Sequence, residues 1–230
     1  NYELKKKIMV HGNYAALPKI LKKYELPRAD GLLLDLGFSS DQLEESGRGF
    51  SFLKDEPLDM RFDQSENLTA EKVINQLPEK ELAYVLFSFG EERRSRLIAR
   101  AVTEERKKRP PRTTGDLVKI TEKVIPRRGR IHPATRTFQA LRIFVNQELQ
   151  NLETVLTDIP LIVKSLGRTA VISFHSLEDR LVKNSFKYFA VEGKAKILTP
   201  KPIIAGQTEI KNNPRSRSAK LRALILSSAS

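Results

Sequence analysis

The sequence predicts an α/β fold that carries an inserted, all-helical unit. Two short apolar runs, at residues 31–36 and 169–174, each end in polar residues, which is typical of strands buried on both faces of a parallel sheet. Between them, residues 69 to about 130 show helical periodicity throughout. With 230 residues, 40% of them hydrophobic, the chain can bury a substantial core, and global disorder is excluded.

Composition excludes several classes of protein and site. The absence of cysteine excludes disulfide scaffolds, thiolate metal sites and cysteine nucleophiles, and it fits a reducing compartment. No apolar run approaches the roughly 18 residues that a membrane span needs, and no signal peptide is visible. We therefore expect a cytoplasmic protein with no membrane partner, and we assign no metal site.

The net charge of +13 is concentrated in two segments. Residues 91–130 hold 14 lysines and arginines against 6 acids, and residues 193–222 hold 8 against 1, so the rest of the chain is nearly neutral. Such concentration favours a polyanion partner, above all a nucleic acid. The alternative is a solvated basic face that only maintains solubility.

The amino-terminal elements alternate between strands and a helix. Residues 7–10 predict a short strand, residues 17–24 a helix with one apolar face, and residues 31–36 a second strand. Residues 47–65 show neither period, and a long irregular stretch in a compact domain is usually functional or disordered. The phenylalanines and the methionine in this stretch argue against disorder.

The inserted helices carry recognisable start and stop signals. Thr69 can cap a first helix, and Pro78 can begin a second that ends at Gly90. Thr114 can cap another helix over residues 116–124. We therefore assign residues 69–133 to an inserted helical domain.

The remaining core follows the insert. Apolar residues recur at three and four positions over residues 134–158, which predicts one long helix. The strand at 169–174 is followed by Ser176, which can cap a helix. Strand candidates follow at 196–198 and 221–227. The α/β core thus comprises residues 1–68 and 134–230.

Small polar residues follow the strand at 31–36. The strand ends at Asp35, and the next residues include Gly37, Ser39, Ser40 and Gln42. In open α/β sheets the ligand lies outside the carboxyl ends of the strands, so this pattern indicates the floor of a site. The alternative, in which Asp35 caps a turn and the serines only fill a loop, stays open.

The motifs of common hydrolases and kinases are absent. The chain has no phosphate-binding loop, nucleophile elbow or zinc-protease motif, and His11, His132 and His175 lack metal-ligand spacing. Structural roles are favoured for all three histidines. A strand-end carboxylate and basic segments suit group transfer, where a cofactor carries the reactive group and positioning contributes roughly 7–11 kcal/mol. Asp35 or a backbone carbonyl could hold an N–H of an exocyclic amine and turn the nitrogen lone pair toward an electrophilic methyl group.

Five segments carry a family resemblance. They read GLLLDLGFSSDQLEESGRGFSF, PLDMRFDQS, GRIHPATRTFQALRIFVNQEL, ISFHSLEDRLVK and NPRSRSAKLRA. In order and spacing, from about His11 to Arg222, they resemble the MraW family of bacterial ribosomal small-subunit methyltransferases. The resemblance implies S-adenosylmethionine-dependent N4-methylation of a cytidine in the decoding region of 16S ribosomal RNA. It also implies a class I methyltransferase sheet, Rossmann-like, with an inserted helical domain.

The resemblance implies specific cofactor residues. Asp35 and Gln42 match the family's motif L-D-L-G-x-S-S-x-Q, in which we expect both to bind S-adenosylmethionine and Asp35 also to be catalytic. Tyr14 stands where the family usually has phenylalanine in H-G-x-F, beside the adenosine. Asp41 stands where proline is common, so this loop is expected to be less rigid.

The amino end departs from the family. The family's glycine-rich loop and the acidic residue after its second strand, which hold S-adenosylmethionine, are both missing here. By analogy, residues 7–10 are strand 3 and residues 31–36 are strand 4, which would leave strand 4 with an exposed apolar edge. We therefore expect an amino-terminally truncated chain that holds part of the cofactor site.

The expected partner is 16S ribosomal RNA in the small subunit, with a homodimer also considered. Basic residues between insert and core, and in a loop before the last strand, are the RNA-binding candidates. They are Arg127, Arg128, Arg130, His132, Arg136, Arg215, Arg217 and Lys220. Arg136 and Arg142 could instead pair with acids on the long helix, and Asp59 and Arg61 could pin the long loop or line the base pocket. An RNA-binding module without catalysis and an inactive fragment are the alternatives to an enzyme.

Overall fold

The computed structural model describes residues 7–37, 46–127, 129 and 132–228, which divide into two units. The first unit combines residues 1–37 with 149–230, and the second comprises residues 38–148. Sequence analysis placed these boundaries at 68/69 and 133/134. The second unit is longer than the predicted insert, because the long loop and the helix after residue 134 share a hydrophobic core with the inserted helices.

The described residues form both helices and a mixed β-sheet, which confirms the predicted α/β fold class. The strands are β1 (Ala29–Asp35), β2 (Val163–Ser173), β3 (Ala195–Ile197), β4 (Ile203–Ile204) and β5 (Lys220–Leu226). The helices are α1 (Leu17–Lys23), α2 (Ala70–Gln76), α3 (Glu79–Gly90), α4 (Ser95–Lys108), α5 (Thr114–Val124), α6 (Thr135–Val145), α7 (Glu148–Thr157), α8 (Ile159–Ile162), α9 (Ser176–Val191) and α10 (Gln207–Asn212). Short 3₁₀ helices lie at Tyr14–Ala16 and Pro214–Ser218.

The sheet of the first unit has the order β1-β2-β5-β3, with β4 paired to β5. β1 and β2 are parallel, with Leu34 opposite Val171 and Asp35 opposite Ile172, whereas β5 runs antiparallel to β2, β3 and β4. Among the described residues β1 lies at the sheet edge, where the side chain of Leu33 is 66% exposed.

The core of the first unit forms where the sheet meets its helices. Val171 and Leu224 are fully buried on the sheet, and Leu152 and Phe186 bury the apolar faces of α7 and α9 against it. Full burial of each such side chain contributes about 1.5–3 kcal/mol. This packing fixes the first turn of α9, and therefore its side chains, beside the end of β2.

The second unit packs α2 to α6 together with the long loop. Leu58 and Met60 of the loop are buried, and Phe50 stacks on Phe62 at 5.4 Å, so the loop is packed, as its aromatic content predicts. Gly90 is needed for packing, because an added Cβ would collide with the carbonyl oxygen of Arg136 on α6. α3 does end at Gly90, but the left-handed residue that ends it is Glu91, with φ +50°.

Residues 7–10 do not form the predicted strand. Met9 is 78% exposed, and no described strand pairs with this segment. A short apolar run gains its strand conformation from a hydrogen-bonded neighbour, and periodicity in the sequence does not supply one.

The long helix predicted over residues 134–158 is two helices. α6 ends at Val145, α7 begins at Glu148, and Gln147 between them has a φ of +52°. The Asn146 side chain donates to the Met60 carbonyl oxygen and accepts from the Phe62 N–H, each at 2.7 Å. These contacts with a distant loop interrupt a helix that the local pattern favours.

Two caps lie one residue before the predicted positions. Thr113, and not Thr114, caps α5 in a reciprocal pair with Asp116. His175, and not Ser176, caps α9. The Thr69 cap is confirmed, since its side chain accepts from the Lys72 N–H. No helix within the described part of the chain has the length and hydropathy to cross a membrane.

Candidate active site

The carboxyl ends of β1 and β2 meet at the predicted site. The Leu36 N–H donates to the Ile172 carbonyl oxygen at 2.9 Å, which aligns the ends of the two strands. Asp35, the last residue of β1, is exposed, so its carboxylate can meet a ligand. Gly37 has a φ of +115°, and a Cβ placed there would lie 3.4 Å from the Phe174 ring.

A capping pair fixes the chain just after β2. The Glu178 Oε2 accepts from the N–H groups of Phe174 and His175, at 2.8 and 3.3 Å. In return, the His175 Nδ1 accepts from the Glu178 N–H at 3.3 Å. Both side chains are largely buried, and the His175 Nε2 lies 3.2 Å from the Glu178 Oε1. The pair holds Phe174, whose ring lies beside Gly37, in place.

An ion cluster ties α9 to β5. The Arg222 Nε donates to the Asp179 Oδ1 at 2.7 Å, and the Lys220 Nζ lies 3.4 Å from Oδ2. Burial raises the pKa of the Asp179 carboxyl, but the hydrogen bond from Arg222 and both cations outweigh it and lower the pKa overall. Lys220, assigned to RNA from the sequence, is therefore engaged by Asp179 in this structure.

The basic loop before β5 presents two arginines to solvent. Arg215 and Arg217 are exposed on the 3₁₀ helix, whereas Ser216 between them is buried. The Ser216 hydroxyl donates to the Asn213 carbonyl oxygen at 2.7 Å. This anchor holds the loop while both predicted RNA contacts stay on the surface.

The predicted adenosine neighbour lies on the same unit. Tyr14 is half-buried in the first 3₁₀ helix and packs against the core of the first unit. Asn13 caps this helix by accepting from the Ala15 N–H at 2.9 Å. The other predicted cofactor residue, Gln42, lies outside the described residues.

The RNA candidates of the second unit differ in accessibility. Arg127 and Arg136 are exposed, and Arg136 donates to the Glu91 carbonyl oxygen at 3.2 Å. His132 is engaged structurally, because its Nδ1 accepts from the Ala134 N–H and its ring stacks on Phe52 at 4.6 Å. Arg128 and Arg130 lie outside the described residues.

Two predicted ion pairs are present in the second unit. The Arg61 guanidinium binds both oxygens of Asp59, at 2.7 and 2.8 Å, and also donates to the Gln64 carbonyl oxygen. The hydrogen bond from Arg61 holds the pKa of Asp59 below its ordinary value. This geometry agrees with the loop-pinning interpretation. Arg142 binds Glu148 at 2.8 and 3.0 Å, as the alternative for that arginine proposed.

Sequence reasoning missed the positioning residues Glu178, Asp179 and Arg222. The sequence carried a signal only for Glu178, since an acid three residues after a capping residue marks a capping box. Asp179 and Arg222 are 43 positions apart, and only the fold brings them together. The site therefore comprises an exposed strand-end carboxylate on a rigid frame, with exposed arginines on the same unit.

Comparison with known proteins adds a family match. The model of the MraW methylase family matches residues 2–226. Three proteins named ribosomal RNA small subunit methyltransferase H are similar along most of the chain. They come from Coprothermobacter proteolyticus (50% identity over 93% of this chain and 72% of the relative), Koribacter versatilis (50%, 94% and 68%) and Synechocystis sp. (51%, 92% and 67%).

Proposed function

The chain belongs to the MraW methylase family, and from this premise we propose that it methylates ribosomal RNA of the small subunit. The proposed reaction transfers a methyl group from S-adenosylmethionine to N4 of a cytidine in the decoding region of 16S RNA. The observation that carries the proposal is the family match over residues 2–226. The names of the relatives supply the class of RNA.

The residues at the end of β1 fit a cofactor of this kind. S-adenosylmethionine offers hydrogen-bond donors and an adenine plane, so it needs acceptors and a flat apolar face. Asp35 presents an exposed carboxylate, and Tyr14 presents an aromatic ring held by the core. These two residues, with Gln42, are the proposed cofactor ligands.

The chemistry requires orientation more than proton abstraction. The bound cofactor supplies an electrophilic methyl group on a sulfonium. The exocyclic amine of cytosine is a poor nucleophile, because its lone pair is delocalised into the ring. Asp35 would accept one N–H and turn the lone pair out of the ring plane. A carboxylate is too weak a base to deprotonate the neutral amine, so the proton would pass to water after the methyl group has bonded to nitrogen and the sulfonium has left as a neutral thioether. Rigid support of β1 by β2 makes this orientation effective.

Exposed arginines provide the proposed contacts with RNA phosphates. Arg127 and Arg136 of one unit and Arg215 and Arg217 of the other are accessible for this role. Phosphate contacts fix affinity and register but not sequence, and they make binding steeply dependent on salt. A cytoplasmic location follows from the proposed substrate, and the proposed homodimer can be tested by light scattering.

The direct test measures N4-methylcytidine in small-subunit RNA by nucleoside mass spectrometry after incubation with the chain and S-adenosylmethionine. Asp35→Asn should reduce the rate by about 100-fold, since orientation is worth several kcal/mol. Asp30→Asn is the matched control, because Asp30 lies on the same strand at its other end, exposed and paired with Lys164. Absence of N4-methylcytidine with the unmodified chain would refute the reaction. Equal rates for both variants would refute the role of Asp35.

A further inference from the structure

A groove between α3 and α4 of the second unit is not used by the proposed chemistry. Its volume is about 680 Å³. Tyr84 and Phe87 of α3 line it, together with the basic side chains of Lys80, Arg93 and Arg96. The packing of these helices requires neither the exposed aromatic rings nor the cations beside them.

The two rings are exposed without contributing to the core. Tyr84 is 65% exposed and Phe87 is 59% exposed, whereas Leu82 and Leu86 bury the other face of α3. A separation of three residues places both rings on one side of the helix. Within the described chain, neither ring contacts another aromatic ring or a cation. Their flat faces are therefore available to a ligand.

The cations along the groove are equally available. Lys80, Arg93 and Arg96 form no ion pair or side-chain hydrogen bond with any residue that the structure describes. Glu79, the acid among the lining residues, accepts from the Thr103 hydroxyl at 3.1 Å. The groove therefore has an excess of positive charge.

We infer that this groove binds a single-stranded segment of the RNA substrate, an inference that rests on the proposed function. Unpaired bases stack on aromatic side chains and guanidinium planes, which duplex RNA cannot do because its bases are already stacked. Tyr84 and Phe87 are the stacking platform, and Lys80, Arg93 and Arg96 bind the phosphates. The excess of unpaired cations favours RNA over a protein partner, whose interface would bury them at a cost.

The test measures binding of a fluorescein-labelled single-stranded RNA of about ten nucleotides to the full chain by fluorescence anisotropy. The double variant Y84A/F87A should bind about 5- to 30-fold more weakly. Y84F should bind normally, because it keeps the ring. The variant R93Q/R96Q should bind more weakly and lower the salt slope of the affinity by about two.

Matched controls separate the groove from general charge and aromaticity. Arg100 lies on α4, like Arg96, but is paired with Glu104. Tyr188 is an exposed aromatic residue of the first unit. R100Q and Y188A should leave the affinity within about twofold of the unmodified chain. Thermal unfolding by circular dichroism checks that all variants fold.

The outcomes distinguish this inference from the proposed function. Unchanged RNA affinity in Y84A/F87A and R93Q/R96Q overturns the inference that the groove binds RNA. Loss of a dimer in those variants would instead assign the groove to a second copy of the chain. Weaker binding by the groove variants, with no methylation by any form, supports the groove and refutes the proposed reaction. If both groove variants methylate RNA with an unchanged KM, RNA binding by the groove is refuted and the proposed reaction is not.

Discussion

The first residues of β5 and the groove beside α4 are both basic, yet their cations do different work. Lys220 and Arg222 are engaged by Asp179, and Arg222 is 8% exposed. Arg93 and Arg96 have no such partner among the described residues. Sequence charge alone predicts the same role for both regions. The comparison shows that a cation's neighbours decide whether it positions a helix or remains available to a ligand.

The largest expected effect tests the engaged side of this comparison. Asp179→Ala leaves the largely buried Arg222 without its carboxylate, which should lower the free energy of unfolding by about 3 kcal/mol. Urea denaturation measures this loss. Asp30→Ala removes an exposed pair with Lys164 and should cost less than about 1 kcal/mol. Equal losses would mean that the Asp179 cluster is no more structural than a surface pair.

The pH dependence of stability tests the same ion cluster at Asp179, with a smaller expected effect. The pKa of Asp179 is lower in the folded chain, so its stabilisation is present above the unfolded pKa of about 3.9 and is lost as pH falls through the folded pKa. Stability measured from pH 6 down to about pH 3 should therefore fall less steeply in Asp179→Asn than in the unmodified chain. Parallel curves would contradict the engagement of this carboxylate.

A cap on each unit separates positioning from stability. His175→Ala and Thr69→Ala each remove a helix cap and should each cost about 1 kcal/mol in urea denaturation. Only His175→Ala should also slow methyl transfer, because His175 contacts Glu178, whose carboxylate holds Phe174 beside Gly37. A matching loss of rate in Thr69→Ala would show that the rate follows stability alone.

The smallest expected effect is on stability and concerns the unpaired cations of the groove. Arg96→Gln should change the free energy of unfolding by less than about 0.5 kcal/mol, because the side chain has no partner in the described residues. Arg222→Gln should cost several times more, because it leaves Asp179 buried without its main donor. Chemical denaturation of the two variants side by side measures the contrast, and an equal cost would remove it.

Local signals predicted β1, β2 and the place of Asp35 at the end of β1, because an apolar run and its polar end are encoded within a few residues. The prediction that both strands are buried on both faces is wrong for β1, where Leu33 is 66% exposed. They failed where distant contacts decide. Asn146 breaks the predicted long helix through contacts with Met60 and Phe62. Residues 7–10 have no paired neighbour among the strands that the structure describes, and a strand requires one.

The candidate site was predicted in part for the same reason. The sequence pointed to Arg215 and Arg217, which are exposed, but it could not show that Lys220 contacts Asp179, 41 positions earlier. The groove escaped prediction because it exists only when α3 lies beside α4. Its trace in the sequence is two aromatic residues on the polar side of an otherwise amphipathic helix.

In genetic terms, the codon for Gly37 should behave like a catalytic one. The residue carries no reactive group, and the space beside Phe174 would admit a methyl group, but a φ of +115° is open to glycine alone. Missense alleles at this codon would therefore score as nulls beside those at Asp35. A screen that reads null alleles as chemistry would mistake a constraint on the backbone for a functional group.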